Sequence, residues 1–589
     1  SVQLGIEDIQ NKNHFDLEFE IVDIEHLKNA AVPVDADLDQ FPQLRDMFEY
    51  EIEYPFISMI IGANDHELHI PSEIHRGEKG LVLLETPLGL VFFGPSSSRN
   101  STGKAIVNFI NAKRTEHELD LVWNNEDVKD IYNTQKTLSY EDRKALQIMK
   151  SSMTREEGKY IVRPPWKSLP ENEPVMPNNY FAVERRLRSQ EKKFAKDPNY
   201  YEEYKDALQT YIDSGVAERV PTDELNVPEG KVNFLPHHSV SHHRKSLRIV
   251  FDTKMKTNGK SISTEILSGP DLLNALIGVF FRFRIGDVAV MADIQRFYHS
   301  VFLPKLDWDM QRFLWYENML GSPIVQFRLK AHIFGGISSQ SCASLSLIDC
   351  IDRAAESRQI TKEQAEKIKN SLYSDDSLSS FQTTEEAIDT MIKAIKVLDE
   401  FNFTLTKFLS NDFTFLQNIP EDRCAIGELD TEIKDVDTTA LGTNWSCSGD
   451  YIFFDFKIPS DNVNTKRSLL SAIASLYDPA GLVSYAVIPA KLILQNAFRR
   501  ELDWDDVLPD EMQREVDRAL NALDQLKNLK IPRTYHIACK SPIRSRQLHL
   551  FSDGSEACYA SMCFVRNLHE DGSITISLVA TKTRLAPLR

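Results

Sequence analysis

At 589 residues, with a formal net charge of −19 and 42% hydrophobic residues, the chain is too long for one hydrophobic core and too apolar to be disordered. Its composition, with 23 Gly and 26 Pro, excludes a collagen-like or low-complexity fibre and suits a globular protein of roughly four domains. The first residues lack the basic, apolar, small-residue order of a signal peptide, and no window approaches the roughly 20 apolar residues of a membrane span. A soluble, intracellular protein without a membrane partner is expected. The seven cysteines are scattered without a C-x-x-C pair, so neither a disulfide framework nor a zinc site is expected.

Residues 1–100 read as short strands and turns, with apolar runs such as Ile57-Ser58-Met59-Ile60-Ile61 and Gly80-Leu81-Val82-Leu83-Leu84 bounded by Gly, Pro and Asn. Pro95-Ser96-Ser97-Ser98-Arg99-Asn100-Ser101 has linker composition. Between about 140 and 220 two helical stretches are expected on either side of Arg163-Pro164-Pro165-Trp166; Leu187 and Phe194 mark the packed face of the second. From about 232 to 410 strands alternate with helices, a mixed α/β pattern. Thr383 and Glu386 predict a capping box for a helix whose apolar face is Ile388, Met391, Ile392, Ile395 and Leu398. Residues 466–530 read as helices, and the last forty return to strands.

Net charge argues against nucleic acid as a partner, but its distribution argues the other way. Residues 231–300 hold ten Lys and Arg against five Asp and Glu, whereas residues 1–150 carry −13 of the total. The basic stretch, which also contains His237, His238, His242, His243 and His299, is the one expected to face phosphates.

The sharpest local signal is Tyr373-Ser374-Asp375-Asp376 between apolar neighbours. Adjacent aspartates in a strand context put carboxylates on both faces of the ribbon unless a turn or a cation compensates. About eighty residues earlier the apolar run Val288-Ala289-Val290-Met291-Ala292 ends in Asp293. If these strands are neighbours, three carboxylates converge, which is the requirement for two Mg²⁺ ions about 3.5–4 Å apart. Taken alone, the same residues read as well as a polar turn and a helix N-cap.

Y-x-D-D after an A-D-I-x-x-x-[FY] element resembles the reverse transcriptase palm. The wider text resembles the Pol polyprotein of BEL/Pao-class LTR retrotransposons through Leu235-Pro236-His237-His238, Leu247-Arg248-Ile249-Val250-Phe251-Asp252, Ser268-Gly269-Pro270-Asp271-Leu272-Leu273, Phe334-Gly335, Lys407 with Ser410-Asn411, Leu441-Gly442-Thr443-Asn444-Trp445 and Tyr477-Asp478-Pro479-Ala480-Gly481. The resemblance implies an α+β multidomain chain with a right-hand polymerase of fingers, palm and thumb. A partial retropepsin-like β domain is expected at 1–100, a linker and helical N-terminal extension at 101–231, fingers and palm at 232–415, thumb and connection at 416–545, and the start of an RNase H-like domain at 546–589.

The same resemblance implies that Asp293, Asp375 and Asp376 are the catalytic residues and hold Mg²⁺, with Mn²⁺ as a substitute. Arg248 would contact the triphosphate, where a planar multidentate donor suits phosphate oxygens. Tyr298 would select deoxynucleotides by colliding with a ribose 2′-hydroxyl, although it also reads as a core aromatic. Phe334 and Gly335 would lie along the incoming nucleotide, and Leu441-Gly442 would grip the primer. Lys407 would protonate pyrophosphate, although a solvated lysine reads equally. Two positions depart from the family: Gln340 stands where proline is usual, and Ser374 replaces an apolar residue. Gln340 is grouped with the substrate-binding residues.

Template with primer, RNA or DNA, and deoxynucleoside triphosphates are the expected partners. Protease activity is not expected, because Ile60-Ile61-Gly62-Ala63-Asn64 resembles the late glycine element of aspartic proteases but no Asp-Thr/Ser-Gly precedes it. Asp213-Ser214-Gly215 reads as a helix end instead. Asp553 resembles the first acid of an RNase H domain and only about 36 residues follow it, so RNA cleavage is not expected either. The alternative is a domesticated or inactive relative that binds nucleic acid or protein without polymerising. The expected location is cytoplasmic, in virus-like particles or free, or nuclear.

Overall fold

The computed structural model describes short strands within the first hundred residues and then residues 138–169, 172–242, 245–425, 437–456, 462–536 and 541–587. The chain divides into two compact units, Ser1–Asp127 and Val128–Arg589.

In the first unit β1 (Val2–Glu7) pairs with β2 (His14–Phe19), and β3 (Glu73–Arg76), β4 (Val82–Thr86) and β5 (Gly89–Phe93) form an antiparallel meander. The expected β character holds for these segments. The protease-like element at Ile60–Asn64 and the linker at Pro95–Ser101 lie outside the described residues.

The second unit opens with α1 (Tyr140–Ser152), closed by a capping box between Ser139 and Asp142. A small hairpin follows, β6 (Thr154–Glu156) and β7 (Lys159–Ile161), and after the Pro-rich segment come α2 (Tyr180–Lys196) and α3 (Pro198–Asp213). Three helices and a hairpin thus replace the two helical stretches expected. Asp197 accounts for the extra break: its side chain accepts from the Tyr200 N–H and caps α3, with Pro198 at the first helical position. Leu187 and Phe194 are buried as expected, and Gly215, at φ +71°, ends α3 in the left-handed region.

Next come β8 (Ala217–Arg219), the ribbon β9 (His237–His242) and β10 (Lys245–Phe251), and α4 (Leu276–Phe283). The strands of the central sheet are β11 (Val288–Gln295), the pair β15 (Leu372–Tyr373) and β16 (Asp376–Phe381), and β17 (Thr404–Ser410), in the order β15-β16-β11-β17. Between them run β12 (Val301–Phe302), β13 (Arg312–Tyr316), β14 (Ile324–Leu329), α5 (Ser339–Glu356) and α6 (Lys362–Ser371), and α7 (Thr384–Asp399) precedes β17.

The central sheet is covered on both faces, which explains the unbroken apolar run of β11. Val288, Val290, Ala292 and Ile294 pack with α5 and α7, while Ala289 packs with Val279, Phe283, Leu378, Leu409, Leu441 and Trp445. Only half of the expected capping box forms on α7. Thr383 accepts from the Glu386 N–H at 3.2 Å, but the Glu386 carboxylate bonds the N–H of Gln382, one residue further back. Met391, Ile395 and Leu398 are buried, and Ile392 is exposed at the edge of the stripe.

A second antiparallel sheet, β18 (Asp437–Ala440), β19 (Thr443–Ser446) and β20 (Tyr451–Phe453), is completed by β21 (Lys530–Pro532) after α8 (Lys466–Ala474), α9 (Ile488–Arg499) and α10 (Asp510–Asp524). The meander β22 (Ile543–Gly554), β23 (Cys558–His569) and β24 (Ile574–Leu585) ends the chain. Gly481 sits against it: at φ +67°, a Cβ there would lie 1.7 Å from the Thr581 carbonyl oxygen, so no side chain fits.

Two buried arginines fasten these parts together. Arg533 grips both oxygens of Asp450 at 2.6 and 2.9 Å and donates to the carbonyls of Gly286 and Asp287 at 2.9 Å. Arg284 donates to the Arg533 carbonyl at 2.9 Å and lies over the Tyr535 ring. Among the described residues no helix is long and apolar enough to cross a membrane.

Candidate active site

Along β11, Ala289, Met291 and Asp293 share one face, and in β16 their partners on that face are Leu378 opposite Met291 and Asp376 opposite Asp293. The apolar face therefore ends in a facing pair of carboxylates. Like charges directly opposite across a ladder destabilise it unless a cation intervenes. Here β17 supplies one: Lys407 forms an ion pair with Asp293. The strand places it there by a bulge, because Met291 faces Leu409 but Asp293 faces Thr406, and Lys407 takes φ +55° at the extra position.

Asp375 belongs to the two-residue turn between Tyr373 and Asp376. Ser374, at φ +56°, gives the turn its left-handed twist, and the Asp375 carbonyl accepts from the Ile294 N–H at 2.7 Å. The turn reading of the aspartates and the hairpin reading thus describe one structure. Asp293 is not a helix N-cap but lies within β11.

These carboxylates line a cleft of roughly 1560 Å³ together with Arg248, Phe334 and Lys407. Arg248 stands exposed on β10 opposite Val240. The ribbon is held to α3 by Tyr211, whose hydroxyl donates to the Ile249 carbonyl at 3.2 Å. Gly335 takes φ +87° and its carbonyl accepts from the Thr253 hydroxyl at 3.0 Å; left-handed backbone is what requires glycine there. Gly335, Tyr298 and Gln340 do not themselves line the cleft; Tyr298 and Gln340 are half-buried behind Phe334, whose ring meets Tyr298 edge-on at 4.6 Å. Burial raises the Tyr298 hydroxyl above its usual range.

Arg296 was not singled out in the sequence. It lines the cleft three residues after Asp293, in the left-handed region at φ +53°, and its place inside the same motif was the signal available. His237, expected against phosphates, is buried in the core instead, and His299, which lines the cleft, is largely buried there. His237 accepts from the Tyr204 hydroxyl at 2.6 Å and donates to the Leu314 carbonyl at 3.0 Å, and burial holds both imidazoles down to about 4. The reason is that β9 turns His237 into the aromatic core of Tyr204, Phe251, Phe313 and Trp315. His243 lies outside the described residues.

Among the described residues no three His, Cys, Asp or Glu side chains stand as a ready metal-binding group. The donors around Asp293 and Asp376 are nevertheless all oxygen, the kind a hard divalent cation takes, and a cation already sits on Asp293 in the form of Lys407.

What fold and site define is a mixed α/β multidomain protein built around an acidic cleft floored by an antiparallel sheet. Residues 465–589 match the family model of the Pao retrotransposon-like RNaseH-like domain. Its match starts in α8, ahead of position 546 where the RNase H-like part was expected to begin, and takes in the helices α8 to α10 as well as the final meander. Over 88% of its length the chain is similar to a foamy viral protease-reverse transcriptase solved with double-stranded DNA, at 12% identity, a TM-score of 0.43 and 79% coverage of that chain. It is also similar to that viral protein solved with an RNA/DNA hybrid, at 13% identity, a TM-score of 0.41 and coverage of 88% and 61%. No curated protein matches the sequence.

Proposed function

We propose that the chain is a reverse transcriptase that extends a primer 3′-hydroxyl along an RNA or DNA template. The observation that carries this reading is the register Asp293 opposite Asp376, with Asp375 in the adjoining turn and Arg248 in the same cleft. Asp293, Asp375 and Asp376 would hold Mg²⁺, which when bound supplies activation of the attacking hydroxyl and neutralisation of the phosphate charge. The residues of the chain do the rest. Arg248 would orient the triphosphate through a forked donor set, Phe334, followed by the left-handed Gly335, would form the wall beside the nucleotide, and Tyr298 behind Phe334 would limit room at the sugar. Lys407, paired with Asp293 in the cleft, would protonate the leaving pyrophosphate.

The test is primer extension on an RNA template in Mg²⁺, with the intact chain beside Asp376→Asn. Extension by the first and none by the second supports the reading. A second reading, a binding protein without polymerase activity, is favoured by the Lys407–Asp293 ion pair, which occupies one of the carboxylates. Retained duplex binding without extension by the intact chain would favour it.

A further inference from the structure

The two positions at which this chain departs from its family touch each other. The side-chain carbonyl of Gln340, on the first turn of α5, accepts from the Ser374 hydroxyl at 2.9 Å and from the Tyr298 hydroxyl at 2.8 Å. Its amide donates to the Ser344 hydroxyl one turn on at 2.9 Å, which fixes the orientation of the amide. A proline at 340 would have no such acceptor, and an apolar residue at 374 no such donor. Tyr298 is thereby held at both ends, its ring edge-on to Phe334 and its hydroxyl tied to the turn that carries Asp375.

We propose that Gln340 is a positioning residue for sugar selection: by sharing one acceptor between Tyr298 and Ser374 it sets the tilt of the Tyr298 ring and couples it to the carboxylate turn. This rests on the polymerase reading. A half-buried tyrosine with its hydroxyl released keeps its packing on Phe334 but can swing, and a ring that swings leaves room for a 2′-hydroxyl. The outer position of Gln340, off the nucleotide itself, predicts an effect on discrimination rather than on the chemical step.

The experiment compares kcat/KM for a deoxynucleoside triphosphate with that for the matching ribonucleoside triphosphate in the intact chain, Gln340→Met, Tyr298→Phe, the double variant, Ser374→Ala and Ser374→Asn, asparagine being a donor that tolerates left-handed backbone. Loss of one shared acceptor is expected to lower the preference for the deoxy substrate about tenfold. Gln340→Met and Tyr298→Phe should give the same loss, the double variant no more than either, and Ser374→Asn should keep what Ser374→Ala loses. Denaturant midpoints of the same set give the coupling between positions 340 and 298 independently of activity. An active intact chain whose preference is unchanged in Gln340→Met, or additive midpoints, would overturn the proposal. If the intact chain extends no primer, the polymerase reading fails first and this one with it.

Discussion

Asp293 faces Asp376 across neighbouring antiparallel strands, and a bulge in β17 delivers the Lys407 ammonium to Asp293. Lys407 takes the left-handed position of that bulge, at φ +55°.

Replacing Lys407 tests that contact. The ion pair is open to solvent on the lysine side, so Lys407→Ala should lower stability without divalent ions by less than about 1 kcal/mol. Millimolar Mg²⁺ should then raise the melting temperature of Lys407→Ala by more than that of the intact chain, because the ion no longer competes with the ammonium. Equal Mg²⁺ responses in a thermal denaturation series would contradict the role given to Lys407.

Removing Arg533 should be costly. It is fully buried, and its loss removes the guanidinium from the Asp450 carboxylate, which among the described residues keeps only the Trp445 indole N–H, and from the carbonyls of Gly286 and Asp287, of which Asp287 keeps the Asn411 amide. Arg533→Ala is expected to cost about 3–5 kcal/mol in urea denaturation, and Arg533→Lys to recover only part, since an ammonium lacks the planar fork. A loss below about 1 kcal/mol would mean that β21 is not anchored to the residues before β11 as described.

Stability should fall on mild acidification. His237, His299 and His332 are buried as neutral rings, with burial as the first cause of their descent to about 4. Their folded-state values lie below the unfolded one, so the unfolded chain binds protons more readily. Their contribution is complete above about pH 6.5 and is lost as pH falls toward 4, on the order of 3 kcal/mol for each ring. Asp307, which burial raises to about 6, works in the opposite sense and offsets part of the loss. Melting temperatures measured from pH 7 to pH 5 should decline, and a flat profile would contradict the burial of the three rings.

How much of this could be read from the amino acids differs by residue. Asp293 and the Asp375-Asp376 turn were legible because a buried strand that ends in a carboxylate and a polar turn between apolar flanks are local patterns. Leu187, Phe194 and the α7 stripe were legible for the same reason. The hairpin of β6 and β7 was not, since its short strands are largely charged and exposed at Thr154–Glu156 and carry no alternation. Gln340 was read as lying against substrate because a motif places a residue in sequence, whereas its side chain turns toward Tyr298 and Ser374 by the rotation of α5. The Arg533 contacts link positions about 250 apart, and nothing in the text around an arginine tells which distant carbonyls will meet it.

Asp293 and Asp376 are proposed to share a divalent cation, and Mn²⁺ binding followed by electron paramagnetic resonance tests this directly. With template-primer and a matching deoxynucleoside triphosphate present, the intact chain should bind Mn²⁺, and Asp293→Asn and Asp376→Asn should each weaken that binding about tenfold or more. Equal Mn²⁺ binding by all three proteins would contradict the account.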